Sequence, residues 1–221
     1  APGVTGVMAE AATEDSRARY TLPWLLKVIG NDPETRAARK VLTAWLDAGA
    51  QRVDRDRDGH YGHEQAIALF DEWWESGNES VAYDVLGGRV GHKLSRKVPT
   101  LLDDHPRLGV GSAWNGIAWY GYVNKDLRTL LGSRVDDPYR LSYCGGGRLA
   151  VCREVLRTSL RRAVDRILAE QEVDSVRALT YDKSIDYIRS STAGVVGVRP
   201  IDWQNRPTFQ QVVEFTGHRR R

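Results

Sequence analysis

The sequence predicts an α+β chain, helical for most of its length and strand-rich only near its end. Three observations carry this. Apolar residues recur at helical spacing in residues 34–49, 63–75 and 147–172. Short β-branched runs follow only after residue 180, at Val195-Val196-Gly197-Val198, Ile201 and Gln211-Val212-Val213-Glu214-Phe215. Between the first two helical stretches lies Asp54-Arg55-Asp56-Arg57-Asp58-Gly59-His60-Tyr61, with carboxylates on alternate residues. The domain reading is therefore a predominantly helical region over 1–179, including a cation loop at 54–65, and a strand-rich segment over 180–221.

Composition bounds the class. The 221 residues carry 41% hydrophobic residues, seven tryptophans and nine tyrosines, enough for a packed core and unlike a disordered chain. The net charge is +3, and the terminal Arg219-Arg220-Arg221 supplies much of it, which gives little support to nucleic-acid binding. No run approaches the eighteen apolar residues of a membrane span.

Residues 8–19 read as an alanine-rich helix, broken at Pro23 before the apolar run Trp24-Leu25-Leu26-Lys27-Val28-Ile29. Asn31-Asp32-Pro33-Glu34 reads as a helix start, with Asp32 as N-cap and Pro33 at the first helical position. The helix that follows should bury Ala37, Val41, Ala44, Trp45 and Ala48 and end at Gly49.

The D-x-D-x-D-G run supplies oxygen ligands on a tight loop, as a hard cation such as Ca²⁺ requires, and Gly59 can take the positive φ of the turn. Asp54, Asp56 and Asp58 are the candidate ligands, with the carbonyl of His60 as a fourth. Position twelve, where such a loop carries a bidentate glutamate, is Gln65, with Glu64 one step early. That departure predicts a weak structural site rather than a sensor. The competing reading is an acidic turn whose carboxylates cap the next helix and pair with Arg55 and Arg57. The helix after the loop should face inward through Ala66, Ile67, Leu69, Phe70, Trp73 and Trp74 and stop at Gly77.

Residues 78–94 mix apolar residues with Gly87, Gly88 and Gly91 and favour neither helix nor loop. His92 and His105 stand alone, without ligand spacing. Residues 112–131 hold Trp114, Trp119, Tyr120 and Tyr122, an aromatic stripe suited to a core or an interface, and Gly132 ends them. Cys144 and Cys152 flank Gly145-Gly146-Gly147, a spacing that closes a small disulfide loop and places the chain outside the cytosol. Two buried thiols are the alternative. The long helix beyond carries Arg153, Arg157, Arg161, Arg162 and Arg166, which read as a solvated face with local i,i+4 pairing.

No G-x-S-x-G elbow, phosphate loop or H-E-x-x-H pair is present in the sequence. The run Asp202-Trp203-Gln204-Asn205-Arg206-Pro207-Thr208-Phe209-Gln210-Gln211-Val212-Val213, however, strongly resembles the end of penicillin acylase (penicillin amidase) family proteins, which are N-terminal-nucleophile hydrolases. Further segments agree in order: Ala11-Ala12-Thr13 with Asp15 and Arg17; the Asp54 loop followed by Phe70, Asp71, Trp73 and Trp74; Trp119-Tyr120-Gly121-Tyr122-Val123 with Lys125-Asp126-Leu127; and Tyr143-Cys144-Gly145-Gly146-Gly147 with Cys152. The resemblance spans nearly the whole chain.

It implies the C-terminal part of the family's large chain, in a fold whose last strands join an αββα sandwich. The family cleaves acyl-amide bonds with the hydroxyl of an N-terminal serine, whose own α-amine acts as base. Here the first residue is Ala1, so the resemblance places that serine on a partner chain and assigns no catalytic residue to this one. The expected setting is extracellular, periplasmic or in the cell envelope, in a heteromer cut from one precursor and acting on a small acyl-amide. A standalone calcium-dependent helical binding module is the rival expectation.

Overall fold

The computed structural model describes residues 2–75, 79–87, 120–136, 140–189, 194, 196–197 and 202–204. Seven helices account for most of them: α1 (Pro2–Thr13), α2 (Ser16–Ile29), α3 (Arg36–Asp47), α4 (Glu64–Glu75), α5 (Val81–Leu86), α6 (Tyr120–Leu130) and α7 (Leu149–Glu170). The long helix α7 packs against α2, α4 and α5; α3 closes over α2 and α4, and α6 over α2 and α5. Large apolar side chains fill the space between, among them Leu22, Trp45, Phe70, Trp73 and Leu160, all fully buried. Trp73 also donates its indole N–H to Ser159 Oγ at 2.9 Å, so the α4–α7 contact is hydrogen-bonded as well as apolar.

Among the described residues the expected αββα sandwich is not found. Helix makes up 64% of the described residues. The described β structure is one antiparallel pair, β1 (Tyr187–Arg189) with β2 (Asp202–Gln204), in the register Ile188 to Trp203, and one isolated bridge between Glu14 and Gln51. Two strands of three residues are too few and too short to form a sheet layer. A helical core instead occupies the centre, because α7 covers the apolar faces of α2, α4 and α5, and α3 those of α2 and α4. Val196 and Gly197, expected in a strand, lie in a bend, and Val196 is 99% exposed. The other expected strand residues, most of the Trp203–Val213 run and Trp114, Trp119, His92 and His105 fall outside the described residues.

Four local expectations need correction. The first break falls at Asp15 rather than Pro23. Asp15 caps α2 by accepting the Ala18 N–H at 3.2 Å, whereas Pro23 sits inside the helix. The carbonyl that Pro23 leaves without a helical partner belongs to Arg19, an exposed residue that water can serve. In α3 the buried face is Ala38, Leu42 and Trp45, one residue round from the expected stripe; Leu42 presents more apolar area than Val41 and wins the interior. Val41 is left half-buried and Ala44 exposed. Asp32 accepts both the N–H and the hydroxyl of Thr35, but it is not the N-cap: regular helix begins at Arg36 with Thr35 in that position, and Pro33 lies in the turn before it.

The fourth correction concerns the arginines of α7. Among the described residues, local ion pairing is limited to Arg157 with Glu154, three residues back at 3.1 Å, and the other ion pairs reach away from the helix. Arg153 and Arg157 donate to the carbonyls of Val28 and Ile29, both at 3.0 Å, and so satisfy backbone oxygens that the end of α2 leaves open. Arg162 reaches Asp84 at 2.8 Å, and Arg166 joins Glu72 to Glu79. The expected solvated face is thus a set of ties from one helix to four other segments, counting Arg161 on Glu34.

Cys144 and Cys152 are joined, with their Cα atoms 5.0 Å apart. The buried carboxylate of Asp126 in α6 accepts the N–H groups of Tyr143 and Cys144 at 2.7 and 2.9 Å and anchors the turn. Gly145 is required there: its φ is +58°, and a Cβ would stand 2.4 Å from the backbone nitrogen of Cys152.

Candidate functional site

The acidic loop leaves the end of α3 and enters α4, and its backbone bends bring the three aspartates together. Carboxylate oxygens of Asp54, Asp56 and Asp58 all lie within 4.8 Å of one another. Gly59 takes a φ of +100°, as the turn demands. Asp54 accepts the Gly59 N–H at 3.1 Å, and Asp58 accepts the His60 N–H at 2.8 Å, so both carboxylates also brace the loop. Arg57 stands at a positive φ of 61° and the loop curls about it.

The donor set suits a hard cation in part. Asp54 Oδ1 is buried without a hydrogen-bond partner, while Asp56 and Asp58 are exposed. The other oxygen of Asp54 accepts the ammonium of Lys183, from 129 residues away. That bond to Lys183 is the main reason the Asp54 carboxyl sits below its ordinary range. Lys183 thus supplies positive charge where a metal would bring it, and any cation must share the site with it or displace it. The missing ligand at position twelve is not replaced either. Glu64 turns to His60 Nδ1 at 3.0 Å and to the Tyr181 N–H, and Gln65 lines a groove beside α3. The hydrogen bond and charge of Glu64 raise the imidazole of His60 above its usual value.

Behind this loop lies a cluster the sequence reading did not find as a unit. Arg52, fully buried, donates Nε to Asp15 Oδ2 at 3.0 Å and its terminal nitrogens to both oxygens of Asp71, one of them at 2.9 Å. Arg17 closes the circuit, bonding Asp15 at 2.8 Å and Asp71 at 2.9 Å. Two guanidiniums therefore balance two carboxylates. Burial by itself pushes Asp15 up, but Arg17 and Arg52 outweigh it and hold the carboxyl at about 2.

The guanidinium of Arg52 also lies over the rings of Tyr181 and Trp45, with centroids 5.4 and 5.9 Å away, and donates to the Tyr181 hydroxyl at 3.1 Å. Tyr181 in turn donates to Asp186 Oδ1 at 2.9 Å. Asp186 is a third buried acid; its Oδ2 has no hydrogen-bond partner, and burial raises its carboxyl above the ordinary value. Burial likewise raises the Tyr181 phenol, so it remains a donor.

Asp15, Arg17 and Asp71 were singled out by the resemblance; Arg52, Tyr181 and Asp186 were not. No local signal marks Arg52, because its partners stand 19 to 129 residues away; Tyr181 and Asp186 are only five residues apart, but nothing in that spacing shows that they face a buried arginine. Chemically the cluster is closed. Every charge in the Arg17, Arg52, Asp15 and Asp71 set is met by another, and the buried hydroxyls of Thr21 and Ser159 are engaged with Arg17 O and Trp73.

Compared with known proteins, the chain matches no family model, no curated protein and no solved structure.

Proposed function

We propose that this chain is a non-catalytic part of a secreted, penicillin-acylase-like amidohydrolase, whose acyl-amide bond cleavage is carried out by an N-terminal serine on a partner chain of the same precursor. One observation supports it most. Segments far apart in sequence that resemble the family meet at one place: Asp15, the N-cap of α2, and Arg17 within it join Asp71 from α4, with the Phe70 ring beneath the Arg17 guanidinium and Trp74 stacked on Phe70. Family-like residues that are spent on a closed ionic lock contribute scaffold rather than a reacting group. The disulfide suits an oxidising compartment. Among the described residues, no helix is long and apolar enough to cross a membrane.

The cation loop belongs to the same reading as a structural Ca²⁺ site formed by Asp54, Asp56, Asp58 and the His60 carbonyl. The rival, a standalone calcium-dependent binding module, draws on a different observation: α2, α3, α4 and α7 bury their apolar faces on one another without help from another chain.

Intact-mass measurement of the native particle, N-terminal sequencing of every chain in it, and assay against a chromogenic acyl-amide separate the two. The expected result is a co-purifying chain that begins with Ser, turnover by the particle, and none by the 221-residue chain alone. Turnover by the isolated chain would overturn the proposal, as would a native particle that contains this chain only.

A further inference from the structure

One short segment, residues 180–186, returns over the buried lock. Gln171 bonds both the N–H and the carbonyl of Thr180, at 2.9 and 3.0 Å. The Tyr181 N–H donates to Glu64, and the Lys183 ammonium to Asp54. The Tyr181 ring lies on that of Tyr61 with 5.9 Å between centroids, and its hydroxyl links Arg52 to Asp186.

The charges beneath this segment do not balance once Asp186 is counted. Arg17 and Arg52 meet Asp15 and Asp71 one for one. Asp186 adds a third carboxyl that is 1% exposed, and among the described residues no cation bonds it. Tyr181 satisfies Oδ1, while Oδ2 has no hydrogen-bond partner. Ionised, this carboxyl is a surplus buried charge with one oxygen that neither water nor a donor serves, a costly state unless the group reaches solvent. A proton on Oδ2 removes the surplus.

Four groups face the carboxyl: Tyr181 from its own segment, Tyr61 from the end of the acidic loop, Arg52 from the chain before that loop, and Asp71 from α4. Burial acts most strongly on it and, with Asp71, favours the protonated form; Arg52 and the two tyrosines favour the ionised one, and the balance lies above the ordinary value. Along the rest of the segment the titratable neighbours are Glu64 with His60, the Lys183–Asp54 pair, and Glu72, Glu170 and Asp182 around an adjoining cavity.

We propose that residues 180–186 form a pH-operated strap over the lock, closed while Asp186 holds a proton and opening locally, with the helices intact, when Oδ2 gives that proton to water. The segment is suited to move alone. Its one regular element is the single 3₁₀ turn Lys183–Asp186. Tyr181 and Ile185 border a cavity of about 330 Å³ with Ala68, Asp71 and Ile167, so part of its flank is not packed. Segments with few buried contacts open at less than the cost of global unfolding. Opening carries Asp186 into solvent and bares Arg52 and Asp71. The inference does not depend on the amidohydrolase reading.

The test is hydrogen exchange of the full 221-residue chain from pH 4 to 8, read by mass spectrometry, with a free peptide of residues 174–186 giving the intrinsic rate at each pH. The opening constant of 180–186 is expected to rise by at least about threefold between pH 4 and 7, and no more steeply than about tenfold per pH unit, the limit for loss of one proton. Exchange within α7 should not follow it. Asp186→Asn keeps an oxygen toward Tyr181 and cannot ionise, so its opening constant should not change with pH. In the parent chain, the ¹³C signal of the Asp186 carboxyl should titrate over the range in which the segment opens. Four results would each overturn the proposal: an opening constant that is flat in the parent, one that rises equally in Asp186→Asn and so belongs to His60 or Glu64, exchange that rises together with α7, or a carboxyl already ionised at pH 4.

Discussion

Arg52 and Asp15, 37 residues apart, meet in the interior with Nε 3.0 Å from Oδ2 and neither side chain exposed. Removing one partner strands the other's charge in a low-dielectric site, a loss of about 3–5 kcal/mol for a buried pair. Asp15→Asn is expected to lower stability by that order in urea unfolding. Arg52→Met should cost as much, because Asp71 loses its bidentate partner too. A loss below about 1 kcal/mol in both variants would remove the lock from the account of the fold.

The same aspartate sets an acid limit. Its carboxyl is held at about 2, against 3.8 ordinarily, so the folded state binds the proton less tightly than the unfolded one. The stabilisation is complete above about pH 4 and fades as pH falls through 2; at neutral pH it amounts to roughly 2 kcal/mol. Denaturant midpoints recorded between pH 2 and 5 should fall with acid in the parent chain and stay flatter in Asp15→Asn.

Asp186 should behave in the opposite sense. Burial raises its carboxyl, so the folded state favours the protonated form, and its stabilising contribution is present below about pH 4 and lost as pH rises. Tyr181, Tyr61, Arg52 and Asp71 are the groups that face it. Asp186→Asn keeps an oxygen to accept from Tyr181 and removes the titration. It should match the parent in acid and exceed it at pH 7–8. A stability difference that does not change with pH would contradict the assignment.

For the acidic loop, calorimetric titration should find Ca²⁺ binding on the order of 10⁻⁴ M or weaker, since the loop lacks its bidentate glutamate. Lys183→Ala should tighten it by freeing Asp54, and Asp56→Asn should weaken it. An unchanged affinity in Lys183→Ala would show that the ammonium on Asp54 does not compete with the ion.

Reducing the Cys144–Cys152 bond closes off the least ambiguous stabilising element in this half of the chain. A loop this short constrains the unfolded state by roughly 2–3 kcal/mol, and that is the expected drop in unfolding free energy with a thiol reductant. Gly145→Ala should fail to form the turn even under oxidising conditions, because its Cβ meets the Cys152 nitrogen.

What the sequence by itself determined was local. The 3.6-residue pattern located α4 and α7 and the inward face of α4, since each needs only the spacing of its own apolar residues. Alternate aspartates followed by glycine located the loop, and two cysteines around three glycines located the disulfide. The face of α3 was legible only to within one residue, because Val41 and Leu42 compete for the same interior and the neighbours decide between them. The tertiary structure alone decided the partners of the charges. Arg52 with Asp15, Arg166 with Glu72 and Lys183 with Asp54 are separated by 37, 94 and 129 residues, and an ion pair leaves no periodic trace in either strand of sequence that forms it. The expected sandwich failed for a related reason: strand propensity in short runs does not create a sheet, whereas helices that already cover one another's apolar faces do create a core.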